Sequence, residues 1–388
     1  MEERPRSAQR ALEERAAEEQ RALDQDEPSF FASPKRIIQT LVAVVLLTIA
    51  IYVLVPKIIG LEDALGKIEE GDPLWIGLGV LFMIAAFAAY VALFRGVVGE
   101  RVIHLEWDES YQITMAGLAA TRLFSAGGAG GILLTYWALR KAGMERRQSV
   151  CRMVAFLVLL YSIYMLALVI FGILLRTGVL SGEAPLSGTV IPAALAGAVI
   201  VICLLIALLP DDVEHRIARH TSGRFGAIAT RLATAPASLA QGTRTAISFL
   251  RHPRSGALAI GGAIGFWAAN IAILWASFHA FDTAVPLGVV VQGFFLGMIA
   301  NLFPLAPGGV GAVDAGMIGA FVLFGLPGEE VFAAVLTYRV IAFWLPIPPG
   351  IIAFFQLRKT VRRWQAEGRE ENARIGVREP EAAAAARS

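Results

Sequence analysis

The sequence predicts an all-α, polytopic integral membrane bundle of about seven to nine spans, and three observations carry that prediction. Hydrophobic residues make up 56% of the 388 residues and the mean hydropathy is +0.62, above the roughly 45–50% apolar content of a soluble domain. The 17% of charged residues crowd into both ends and one central loop, leaving long runs nearly free of charge. Two apolar segments are interrupted by related glycine-rich phrases, Leu123–Gly131 and Leu302–Gly311. A membrane β-barrel would show short alternating segments instead.

Residues 1–33 are polar and cannot bury a core, so they read as a cytoplasmic tail. The membrane domain is assigned to 34–363. A span needs about 20 apolar residues, and six runs approach or meet this: Ile37–Val55, Leu74–Val98, Val150–Leu175, Thr189–Leu209, Ala257–Phe281 and Ala284–Phe303. Ile37–Val55 is too long for a signal-peptide h-region and lacks a small-residue cleavage site, so it reads as the first span. Val331–Leu357 is a further span interrupted by Arg339 and by Pro346, Pro348 and Pro349. Tyr111–Leu139 and Val310–Leu326 contain the glycine phrases and read as half-helices, re-entrant hairpins or short spans. A polar tail, 364–388, ends the chain.

Lys and Arg collect in Arg140–Arg152, in the loop 211–255 and after Arg358, while the alternate loops carry Glu62, Asp63, Asp282, Glu329 and Glu330. The positive-inside rule then places both termini in the cytoplasm, with the plasma membrane as the expected location. In this topology the two glycine breaks reach the membrane interior from opposite faces, an inverted-repeat plan recurrent in transporters. The Arg-rich loop 211–255 reads as an ordinary positive-inside loop or as a surface for anionic lipid.

Glycine and proline free backbone groups, which is tolerable at membrane depth only where protein or a wet cavity covers them. Arg122 precedes the first break and Asp314 follows the second, and with Arg339 they are the ionisable residues expected at depth. An Asp314–Arg339 ion pair joining two helices is one reading. The other is a headgroup site, since intramembrane ionisable residues mark functional sites by default. Gly308, Gly309 and Gly311, after Pro307, would open a half-helix whose N–H groups attract an anion such as phosphate. Arg122 and Arg339 supply the forked donors that suit phosphate oxygens. Gly127, Gly128 and Tyr338 complete the expected substrate-binding set. Asp314 would neutralise Arg339, accept a cationic headgroup or take up a proton.

Catalytic, metal and cofactor sites are not expected: hydrolytic triads, HExxH and Cys-His metal spacings are missing from the sequence. Cys151 and Cys203 lie in apolar runs and read as packing residues. A net charge of +2 without basic-aromatic clusters argues against nucleic acid.

At these residues the chain resembles the lysylphosphatidylglycerol synthase transmembrane family, flippase-like membrane proteins. The resemblance rests on Gly127–Met144 with its Arg140-Lys141-Ala142-Gly143 ending, on Pro304–Gly311 with Asp314, and on Tyr338-Arg339 through Trp344-Leu345-Pro346. It spans roughly Arg36 to Arg363. The family more often has Glu where Asp314 stands, and a proline with an acid where this chain has Ser125 and apolar residues. The resemblance implies translocation of a phospholipid or polyprenyl-phosphate-linked lipid. Long bacterial members carry a soluble aminoacyl-transferase domain, and about 25 polar residues after Arg363 are too few for one. The expectation is therefore a non-enzymatic flippase-like transporter, acting alone or as a homo-oligomer. The alternative is a non-catalytic membrane partner or regulator of a separate lipid-modifying enzyme.

Overall fold

The computed structural model describes residues 39, 42, 70–98, 105–124, 129–207, 240–249, 251, 253–302 and 309–385. The expected first span, Ile37–Val55, and most of the Arg-rich loop lie outside the described residues. Among those described, helices are the regular structure and no strand occurs: α1 Pro73–Val98, α2 Trp107–Phe124, α3 Ala129–Lys141, α4 Arg146–Arg176 and α5 Val190–Ala207 come first. There follow a helical stretch over 240–249, then α6 Pro253–His279, α7 Leu287–Met298, α8 Ala312–Leu323, α9 Gly328–Arg339 and α10 Ile347–Ala385.

Local chemistry sets the helix ends. Asp72 Oδ1 accepts the Leu74 N–H at 2.8 Å ahead of Pro73, whose missing N–H costs nothing at a first helical position. Glu109 reaches back to the Glu106 N–H at 2.9 Å and caps α2. Gly178 and Gly325, both at positive φ, follow the ends of α4 and α8.

Among the described residues five helices are long and apolar enough to cross a membrane: Pro73–Val98, Arg146–Arg176, Val190–Ala207, Gly256–His279 and Gly328–Glu367. Leu287–Met298 and Ala312–Leu323 are apolar but short. Ala284–Phe303, expected as a full span, is therefore a half-helix: α7 stops at Met298 and tightens into a 3₁₀ turn over Ile299–Leu302. The polar end of the chain continues α10 to Ala385, as its Ala, Glu and Arg content favours.

In lipid, small residues let helices approach closely, because hydrocarbon offers no hydrophobic drive between them. The most extensive pairing joins α1 to α6. A Cβ on Gly262 would lie 2.4 Å from Leu93 N, and one on Gly96 would lie 2.5 Å from Ala259 N. Gly262→Ala is therefore expected to destabilise the detergent-solubilised protein by about 1–3 kcal/mol. Gly261→Ala, whose Cβ meets nothing within 4 Å, is expected to be neutral or mildly stabilising. Equal melting temperatures for the two variants would contradict this packing. A central aromatic group locks α4, α6 and α7: Trp267 Nε1 donates to Leu160 O at 2.8 Å and Tyr164 Oη to Phe295 O at 2.7 Å.

The helices either side of each glycine phrase, α2 with α3 and α7 with α8, pair as two helical hairpins. In the first, α2 crosses α3 where a Cβ on Gly131 would lie 2.4 Å from Gly117 O. In the second, α7 crosses α8 where a Cβ on Gly297 would lie 2.5 Å from Met317 Cα. Helices α9 and α10 form one interrupted rod along which the hairpins are placed. α9 starts beside the base of the second hairpin, where Thr283 Oγ1 donates to Glu330 Oε2 at 3.3 Å. α10 runs down the first hairpin to its base, where Arg363 Nη2 and Trp364 Nε1 donate to Glu109 Oε1 at 3.1 and 3.0 Å. The hairpins thus enter from opposite ends of the bundle, and their tips meet at the interruption between α9 and α10.

Candidate functional site

That interruption is a π-helical segment, Val340–Trp344. Its cause can be read from the prolines that follow. In an α register the Ala342 carbonyl would face Pro346, and in a π register the Phe343 carbonyl would face Pro348. Neither proline has an N–H to donate. Leu345 N–H closes the wider turn onto Val340 O at 2.9 Å. Arg122, in the last turn of α2, supplies the missing donors: Nη2 donates to Ala342 O at 2.8 Å and Nη1 to Phe343 O at 2.5 Å. One planar fork serves two successive carbonyls, which a Lys ammonium cannot do as well.

On the other side of the segment, Arg339 ends α9 and its Nε lies 2.5 Å from Asp314 Oδ1. Both side chains are buried. Asp314 sits in the first turn of α8 and its second oxygen accepts the Gly311 N–H at 2.8 Å. Gly311 has φ +82° and Gly309 φ +69°, a conformation that side-chain-bearing residues rarely adopt. The anion at this helix N-terminus is thus the protein's own carboxylate, held where the helix dipole favours negative charge.

The Phe343 ring joins the two arginines. The Arg339 Cζ lies 4.5 Å and the Arg122 Cζ 5.0 Å from its centroid. Leu123 from the first tip, Val310 from the second, Phe343 and Ile347 form a small buried cluster that closes the junction. Two guanidiniums against one carboxylate leave these three ionic side chains with an excess of one positive charge.

Four expected site residues, Gly127, Gly128, Pro307 and Gly308, lie outside the described residues. Arg122, Gly309, Gly311, Asp314 and Arg339 are brought together at the tips. Tyr338 takes a different direction: its hydroxyl donates to Asn270 Oδ1 at 3.4 Å and its ring lies edge-on to Phe294. Phe343 and the two carbonyls behind it were not foreseen in the sequence. The signal was present as the proline pattern of Pro346, Pro348 and Pro349, which removes the donors.

Residues 14–350 match the model of the lysylphosphatidylglycerol synthase transmembrane region. The chain belongs to this family. Membership, together with the long apolar helices, makes it a multi-pass membrane protein. It is 34% identical over 87 residues to a UPF0104 membrane protein of Methanothermobacter thermautotrophicus, covering 22% of this chain and 26% of that protein. A second UPF0104 membrane protein of the same organism is 31% identical over 86 residues, with 22% and 26% covered. A phosphatidylglycerol lysyltransferase of Staphylococcus haemolyticus is 26% identical over 104 residues, covering 26% of this chain and 12% of that protein. These matches span about a quarter or less of each curated relative. Family membership accounts for the membrane architecture and associates it with lipid.

Proposed function

We propose that this family member moves a phosphate-bearing lipid headgroup between leaflets, past the junction of the two hairpin tips. The observation that carries the reading is the convergence of two glycine-broken hairpins, entering from opposite ends, on a π-helical break flanked by two arginines and one aspartate. Irregular backbone at membrane depth persists only where protein or water covers it, and transporters place their sites at such repeat interfaces.

In this reading Asp314 occupies the acceptor position that a phosphate oxygen would take on Arg339 and the Gly311 N–H. An arriving headgroup exchanges with that carboxylate, and Arg122 and Arg339 hold it. The lipid is a phospholipid or a polyprenyl-phosphate-linked lipid. No bond-making step is assigned to the chain; the plasma membrane is its proposed location, and the distribution of Lys and Arg supports cytoplasmic termini. The Arg-rich loop would rest on anionic lipid.

Vesicles reconstituted with the protein and a fluorescent phospholipid test the reading by quencher accessibility. Wild type should equilibrate the probe between leaflets, and Arg339→Ala should slow this at least tenfold, the scale expected from losing one charge-assisted contact. Normal equilibration by Arg339→Ala would remove the tip site from transport. The second reading, a membrane partner of a separate lipid-modifying enzyme, draws on the lysyltransferase relative, of which the match covers 12%. It predicts unchanged lipid distribution in vesicles and loss of a separate enzyme's lipid product when the chain is deleted.

A further inference from the structure

A cleft of about 190 Å3 lies between α1, α2, α3 and α4, beside the crossing of Gly117 and Gly131 in the first hairpin. Its walls are mostly apolar, but Tyr90, Thr114, Thr121, Thr135, Arg152 and Tyr161 also line it. Among the described residues no aspartate or glutamate does. Arg152 is half-buried and donates one N–H to Val97 O at 2.9 Å. Among the described residues no carboxylate lies within ion-pair reach of it. A guanidinium has five N–H donors, so most of its capacity is left over. The hydroxyls of Tyr90 and Thr135 make no hydrogen bond to another described residue. These groups, from α1, α3 and α4, bring one cation and further hydrogen-bonding capacity to the lining of an otherwise mostly apolar cleft.

The cleft has an outer and an inner end. Ile132 is 44% and Tyr161 39% exposed, so its outer end opens sideways from the bundle between α3 and α4. At its inner end Thr121 immediately precedes Arg122. Tyr90 stands one helical turn from Phe87, over whose ring the Arg122 Cζ lies at 5.9 Å. A group lodged in the cleft is therefore one turn from the tip junction. The volume suits a headgroup and its first methylenes, below the roughly 300–1,000 Å3 of a site that encloses a whole drug-sized ligand.

We propose that this cleft is the lateral docking site for the headgroup of an anionic phospholipid, and that it selects net-negative phosphodiester headgroups over amine-bearing ones. Its destination, the tip junction, rests on the translocation reading above. The phosphate oxygens accept from Arg152, Tyr90 and Thr135, and the first methylenes lie against the apolar wall. An ammonium group brought into the same cleft meets Arg152 and, among the described residues, no carboxylate.

The test measures lipid retention by the full-length protein in phosphatidylcholine nanodiscs offered equal amounts of phosphatidylglycerol and phosphatidylethanolamine. Bound lipids are counted by native mass spectrometry. Wild type should retain phosphatidylglycerol preferentially. Arg152→Gln should reduce that preference about fivefold or more, as expected for loss of a charge-assisted contact. Arg146→Gln, an exposed residue at the start of the same helix, should leave it unchanged. Because Arg152 also ties α4 to α1, Thr135→Val provides a second variant that breaks no bond within the protein. It should lower phosphatidylglycerol retention as well.

Wild-type retention in both Arg152→Gln and Thr135→Val would overturn the proposal, as would equal retention of the two lipids by wild type. Excess inorganic phosphate should not displace the lipid. Displacement would make the cleft a small-anion site and overturn the lipid assignment. Selective retention without translocation in vesicles would sink the tip reading and leave the cleft standing. Normal translocation with retention blind to both variants would sink the cleft alone.

Discussion

Asp314→Ala is expected to destabilise the protein by about 3–5 kcal/mol, the range for removing one partner of a buried ion pair. The penalty arises because Arg339, buried at the end of α9, loses the carboxylate 2.5 Å from its Nε. The same change strips the Gly311 N–H of its acceptor at the start of α8. Asp314→Asn separates the two effects. Its amide oxygen can still receive the Gly311 N–H, while the negative charge facing Arg339 is gone. It should therefore fall between wild type and Asp314→Ala in thermal unfolding. The double variant Asp314→Ala/Arg339→Met should recover part of the loss, since the uncompensated charge is removed. Melting of Asp314→Ala at the wild-type temperature would show that the pair does not hold the second tip to α9.

The Arg122 variants should have the next largest effect, and they probe the other half of the junction. Arg122→Gln is expected to destabilise by about 1–3 kcal/mol for each carbonyl left without a donor. Arg122→Lys should be intermediate, because a single ammonium cannot reproduce the fork that spans Ala342 O and Phe343 O. The informative measurement is amide hydrogen exchange at Leu345, whose N–H closes the π turn onto Val340 O. Exchange there should accelerate in both variants while α1 and α6 stay protected. If Leu345 exchanges at the wild-type rate in Arg122→Gln, the π segment does not depend on the clamp.

Much of this junction was legible in the sequence because the relevant penalties are local. Apolar runs must satisfy their own backbone, so spans such as Pro73–Val98 and Arg146–Arg176 followed the hydropathy closely. A charge in an apolar run must find a partner, so Asp314 and Arg339 were marked as a candidate pair. The glycine phrases were expected to approach from opposite faces, and the hairpins do enter from opposite ends.

What the sequence concealed depends on distant contacts. The donors for Ala342 O and Phe343 O come from a residue 220 and 221 positions earlier in the chain. Prolines 346, 348 and 349 announced missing donors but not who replaces them. Tyr338 adjoins Arg339 in sequence, yet successive helical residues point about 100° apart. Its hydroxyl accordingly reaches Asn270 on α6. The half-helix Leu287–Met298 was hidden within an apolar run of full-span length, since hydropathy does not report where a helix tightens into a 3₁₀ turn.

The π segment also sets the relative orientation of the two hairpins. One is fastened to α10 through Glu109, Arg363 and Trp364, and through Thr360, whose hydroxyl meets Gln112 at 2.8 Å. The other is fastened to α9 through Asp314–Arg339 and Thr283–Glu330. A π turn differs from an α turn by one residue, worth about 100° of rotation and 1.5 Å of rise. Rewinding Val340–Trp344 to the α form would therefore swing one hairpin about the rod axis relative to the other, like two hands of a clock on a shared spindle.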